Sequence, residues 1–173
     1  MNRSVLAGAA ALTLFASASA SAHITLEVQE AAPNTTYRAV LRVGHGCEGS
    51  PTTAVRVQIP EGMIAAKPMP KPGWELGTKT EKYQQAYDYF GEELVEGVTE
   101  IGWTGGNLPD DWYDEFVFRG RLTDFEPGTV LYFPVVQECA DGVHRWIELP
   151  AAGQDPDELA EPAPSVLIVA PSE

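Results

Sequence analysis

From residue 23 onward the chain is written as short runs of alternating apolar and polar residues, each closed by glycine or proline, and that period of two constrains the fold more than any other feature. His23 to Glu30 alternates, with Ile24, Leu26 and Val28 on one face, and Tyr37 to Val43 is rich in aromatic and branched residues. Further strands are predicted at Ala54 to Ile59 (Val55, Val57 and Ile59 inward), Trp74 to Thr80, Val98 to Trp103, Glu115 to Leu122, Val130 to Val136 and Val143 to Leu149. Turns are expected at Pro60-Glu61-Gly62, Pro72-Gly73, Gly105-Gly106-Asn107 and Glu126-Pro127-Gly128. Little in the chain has a helical period. The reading is an all-β, single-domain antiparallel sandwich of immunoglobulin-like build, with a barrel as the alternative.

Two segments depart from this pattern. Pro68, Pro70 and Pro72 alternate between Lys67 and Gly73, which excludes a central strand and predicts a loop or an edge. Residues 151–173 form an acidic, proline-rich tail, in which Ser165 to Ala170 is read as a last strand or a strip packed on the sandwich. Between Val98 and Glu115, residues 105–114 are expected to be a connection carrying Trp112 and Tyr113, with Trp112, Trp74 and Trp103 assigned to the core.

The first 22 residues have the build of an export signal. Met1, Asn2 and Arg3 make a short positive start, Val5 to Ala16 carry no charge, and Ala20-Ser21-Ala22 is a cleavage signal that would leave His23 as the new amino terminus. The apolar run is shorter than the roughly 20 residues a spanning helix needs, so no transmembrane anchor is expected. Cleavage leaves 151 residues, enough for one core in domain 23–150 ahead of the tail. The destination is the periplasm or the medium. Removal of Arg3 takes the formal charge from −14 to −15, which disfavours nucleic acid and admits either simple solubility or attraction of cations.

Cys47 and Cys139 lie far apart in a chain bound for an oxidising compartment, so a disulfide is expected; a thiolate metal site is the rival reading, although the C-x-x-C spacing is missing. Such a bridge would draw the segment around His45 towards that around Trp146.

At an amino terminus His23 offers an α-amine and an imidazole. That bidentate bite favours Cu(II), with zinc as competitor. The other amino-terminal copper motif, with histidine third, is absent because Thr25 occupies that position. Further donors are His45 and Glu48, flanking Cys47, and His144, which follows Cys139; each histidine taken singly fits a structural role as readily. Trp146 fits the core, or can shield a bound ion through a cation–π contact. No nucleophile elbow, phosphate-cradling glycine loop or H-E-x-x-H helix is present, which argues against a hydrolase.

The start His23-Ile24-Thr25-Leu26, Tyr37, the Thr52-Thr53-x-Val-x-Val-x-Ile-Pro60 run, Gly73-Trp74 and the Trp146 strand together resemble the YcnI-like copper-binding proteins. His-Gly-Cys-Glu-Gly at 45–49 and Gln-Glu-Cys-Ala-Asp-Gly at 137–142 match one subset, and the likeness runs from His23 to about Pro150. It implies a β-sandwich that holds Cu(II) through His23 as a single-histidine brace, an acidic side chain and Trp146. The family's glutamate falls where this chain has Gly46, so Glu48 is a neighbour of the matching position and His45 or His144 can serve in its place. The expected role is copper sequestration or delivery, with a periplasmic donor or acceptor as partner and no catalysis. A copper-dependent oxidative enzyme and a metal-independent interaction module are the alternatives.

Overall fold

The computed structural model describes residues 23–171; the predicted export signal, residues 1–22, lies outside them. Among the described residues twelve strands form: β1 (Thr25–Leu26), β2 (Glu30–Ala31), β3 (Thr36–Val43), β4 (Thr52–Gln58), β5 (Met63–Pro68), β6 (Glu75–Tyr89), β7 (Glu92–Leu108), β8 (Asp114–Leu122), β9 (Val130–Tyr132), β10 (Val135–Cys139), β11 (Val143–Trp146) and β12 (Ser165–Ile168). They make a four-stranded sheet β1-β3-β8-β5, a five-stranded sheet β11-β10-β4-β7-β6 and a three-stranded sheet β2-β12-β9. The fold is the expected all-β, immunoglobulin-like one. Among the described residues the single helical element is a 3-10 turn, Pro156–Glu158.

Alternation explains the core. Leu41, Val43, Phe116 and Phe118 of the first sheet meet Val55, Val57, Ile101, Trp103 and Val135 of the second, all fully or almost fully buried. Side chains on the two inner faces remove apolar surface from water at about 25 cal/mol per Å². The third sheet continues this core with Leu131, Val166 and Ile168, so the far end of the proline-rich tail is structural.

Where the sequence reading departs from the structure, the causes are physical. The first predicted strand breaks in two: Thr25 and Leu26 pair with Arg42 and Leu41, then the chain crosses to lie parallel to β12 through Glu30 and Ala31. Val28 sits on that crossover and is 50% exposed rather than inward. Its carbonyl accepts a hydrogen bond from the Tyr37 hydroxyl, and burial pushes the Tyr37 phenol up to about 12. Val130 to Val136 likewise splits into β9 and β10 around Phe133-Pro134.

The two strands predicted at 74–80 and 98–103 are the beginning of one much longer strand and the centre of another, of 15 and 17 residues. Most of β6 is exposed, so burial imposes no apolar alternation along it. Gly105-Gly106-Asn107 belongs to β7 and does not turn the chain. Gly106 instead lets Trp74 lie flat on the strand, since a Cβ there would overlap the indole ring. Trp103 is buried and Trp74 partly so, but Trp112 is 64% exposed on the β7–β8 loop, against the core assignment. Lys67 and Pro68 end β5 at the edge of the four-stranded sheet, as the prolines required.

Candidate metal centre

Cys47 and Cys139 are bonded, with Cα atoms 5.9 Å apart across 92 residues of sequence. Cys139 ends β10, whereas Cys47 opens a tight turn closed by mutual backbone hydrogen bonds of 2.9 Å with Ser50. The two central residues of that turn, Glu48 (φ 50°) and Gly49 (φ 91°), are both left-handed, the geometry of a primed two-residue turn. Glycine takes it freely, while a glutamate bears roughly 1 kcal/mol of strain. Just before the turn, a Cβ at Gly46 would overlap the Ser50 carbonyl oxygen. A glutamate at position 46 is therefore excluded by this backbone. The Gly46 N–H donates to Asp110 Oδ1 at 2.9 Å, fixing the loop to the β7–β8 connection.

The hairpin of β10 and β11 builds the other wall. Its register sets Val135 opposite Trp146 and Gln137 opposite His144, and with a period of two these four side chains share a face. Gln137, 1% exposed, joins the parts: its amide nitrogen donates to the His45 carbonyl and to Thr52 Oγ1, both at 2.8 Å, and its amide oxygen accepts from Trp146 Nε1 at 3.0 Å. Both amide hydrogens and one oxygen lone pair are thereby satisfied in a site closed to water. The indole of Trp146, 3% exposed, is held edge-on by this bond.

Two histidines lie against that indole and the third against one of them. The His23 ring lies 5.5 Å from the Trp146 ring, centroid to centroid, at 61°; the His144 ring lies 5.0 Å from it at 32°; and the His45 ring stands perpendicular to that of His144 at 5.9 Å. The four rings come from three places. His23 leads into β1 of the four-stranded sheet, His144 and Trp146 lie on β11 at the edge of the five-stranded sheet, and His45 belongs to the β3–β4 loop. Two rings are fixed through Nδ1, which in His45 is 2.5 Å from the Gly46 carbonyl and in His144 is 2.7 Å from Glu161 Oε1.

Of the candidate residues, the structure thus brings together His23, His45, His144 and Trp146. Glu48 is exposed on its turn, where it lines a recess of about 280 Å³ with His144, Cys47, Ser50, Asp141, Gly142 and Val143. Among the described residues no three His, Cys, Asp or Glu side chains are arranged as a ready-made metal cage. The donor chemistry at the indole is imidazole nitrogen, suited to copper or zinc, and fits a site in which one residue supplies two donors rather than a three-side-chain cage. Three supporting residues were given no role from the sequence. Gln137 was legible in principle, two positions from Val135 in an alternating strand; Asp110 and Glu161 reach the site from loops whose sequences carry no periodic signal.

The sequence from 23 to 168 matches the family described as Domain of unknown function (DUF1775), which is the family of the YcnI-like proteins. The chain belongs to this family. A solved structure supports the fold: an uncharacterized protein from Nocardia farcinica with an immunoglobulin-like fold, 27% identical, aligns over 85% of this chain and 98% of its own with a TM-score of 0.62. No curated protein matches the chain.

Proposed function

We propose that this DUF1775 protein, with its chain starting at His23, is an exported carrier that binds Cu(II) and sequesters it or passes it to a periplasmic donor or acceptor protein, without catalysing a reaction. The observation that supports this reading is that His23 and His144 both lie against one buried tryptophan, with His45 against His144, from segments otherwise far apart in sequence. His23 would contribute its α-amine and imidazole, a chelate that exists only in the processed chain and that no cage of side chains would reveal. Nitrogen-rich donor sets bind Cu(II) above the other divalent ions of the first transition row. Trp146 would border the ion, and the acidic excess, a formal charge of −15 once Arg3 is removed, would draw cations to the surface. Export is consistent with the disulfide, and no helix among the described residues is long and apolar enough to cross a membrane.

The test is a Cu(II) titration of protein beginning at His23, beside a form with one extra alanine ahead of it. Tryptophan fluorescence and the copper paramagnetic resonance spectrum are followed. One tight equivalent with nitrogen hyperfine coupling and quenching, lost in the extended form, is expected. Equal binding by both forms would overturn the brace and leave binding to His45 and His144; no binding by either would overturn the function.

A further inference from the structure

His144 differs from the other two histidines in what holds it. The carboxylate of Glu161 is placed across two donors at once, Oε1 on His144 Nδ1 at 2.7 Å and Oε2 on the Arg145 backbone N–H at 3.0 Å. Glu161 is itself tied down. Its N–H donates to Glu148 Oε2 at 2.7 Å, its carbonyl accepts from the Glu148 N–H at 3.1 Å, and the Ala163 N–H donates to the Glu148 carbonyl at 2.9 Å. The proline-rich connection between β11 and β12 is therefore pinned beside β11 at the point where it delivers a carboxylate to this histidine.

An ionised carboxylate only accepts hydrogen bonds, so the nitrogen facing it carries the proton and the neutral ring keeps its lone pair on Nε2, on the side away from Glu161. A metal-binding imidazole is commonly held in this way, by a carboxylate on its other nitrogen that fixes the tautomer and raises ligand basicity. The ring plane is fixed as well, between Trp146 at 5.0 Å and His45 at 5.9 Å. Glu48, in contrast, makes no hydrogen bond or ion pair among the described residues.

We propose that His144, through Nε2, is the ligand that completes the copper site with His23, and that Glu161 is its positioning residue. This rests on the copper reading above. It assigns the third ligand to β11 rather than to Glu48, and it gives the connection before β12 a part in metal binding.

The test compares wild type, E161A, E161Q, H144A and E48A, all starting at His23. In metal-free protein, long-range proton–nitrogen NMR reads the tautomer of His144. The Nδ1–H form is expected in wild type and in E161Q, whose amide oxygen still accepts, and its loss is expected in E161A. With Cu(II), H144A is expected to lose one coupled nitrogen from the resonance spectrum, and E161A to bind on the order of tenfold to a hundredfold more weakly, with E161Q close to wild type and E48A unchanged. A stable E161A with unaltered tautomer would overturn the positioning role. Copper bound with the same nitrogen count in H144A would overturn the ligand assignment while leaving the His23 brace intact. Absence of copper binding in wild type would remove the carrier function itself, whatever the tautomer.

Discussion

The end of the sandwich that carries the disulfide and the β6–β7 hairpin are opposite solutions to placing exposed chain. At the disulfide end, residues 23, 45, 137, 144 and 161 meet through a covalent bridge, a fully bonded buried glutamine and ring contacts. In the hairpin, 15 residues run against 17 with register shifts at Lys79/Thr80 and Lys82/Tyr87, and few of the β6 side chains are buried. Ile101, Trp103 and Leu108 of β7 reach the core, but the outer part of the hairpin is fastened locally: the Glu61 carboxylate accepts from the Tyr87 hydroxyl at 2.7 Å and from the Gln84 N–H at 3.0 Å, and the Arg121 guanidinium lies over the Phe90 ring at 5.1 Å. Chemistry that needs several side chains at fixed distances is found where long-range ties converge, because each tie removes freedom that loop closure would otherwise restore.

This contrast can be broken or sharpened by substitution. Replacing both Cys47 and Cys139 by alanine opens a loop with a separation of 92 residues, and urea unfolding is expected to show a loss of about 4 kcal/mol; a loss near zero would mean that noncovalent contacts suffice at this end. Next comes Gln137→Leu, which leaves the Trp146 indole N–H and the His45 carbonyl without their partner in a buried site. A cost of about 2–3 kcal/mol is expected in the same assay, with altered tryptophan emission.

Gly46→Ala is expected to cost about 2 kcal/mol through overlap with the Ser50 carbonyl. Gly77→Ala, on the hairpin, meets no atom within 4 Å and should change stability by less than about 0.5 kcal/mol. Equal effects at the two glycines would erase the distinction between the regions.

At neutral pH Tyr37→Phe is expected to cost about 1 kcal/mol for the hydrogen bond to Val28, less than Gly46→Ala. Its pH dependence is more telling. The folded phenol has a pKa of about 12 against an ordinary 10.0, so the folded state holds this proton more tightly than the unfolded one. The associated stability is complete below pH 10 and is lost as pH rises towards 12. Chemical unfolding followed between these values should show that alkaline loss in wild type and a flatter profile in the phenylalanine variant.

Much of the site could be read without coordinates, and the exceptions have a common cause. His23, His45, His144 and Trp146 stand beside recognisable landmarks: a cleavage signal, two cysteines and an alternating strand. Glu48 had a landmark too, but its left-handed turn carries it to the surface beside the disulfide. Trp112 was assigned inward from its residue type, whereas its place is decided by the β7–β8 loop, where no strand periodicity applies. The full length of β6 could not be inferred from hydrophobic pattern because almost nothing along it is buried.

By itself the sequence determined the all-β class, the inward face of β4, the edge character of the proline segment and the partner of each cysteine, because a period of two, proline's missing N–H and a single pair of thiols are local or countable properties. Only the tertiary structure decided that Gln137 links the indole to the His45 carbonyl, that Glu161 faces His144 and that position 46 admits no side chain. Those facts depend on distances between segments tens of residues apart, and such distances are set by how two sheets and a returning tail pack, not by any pattern within one segment.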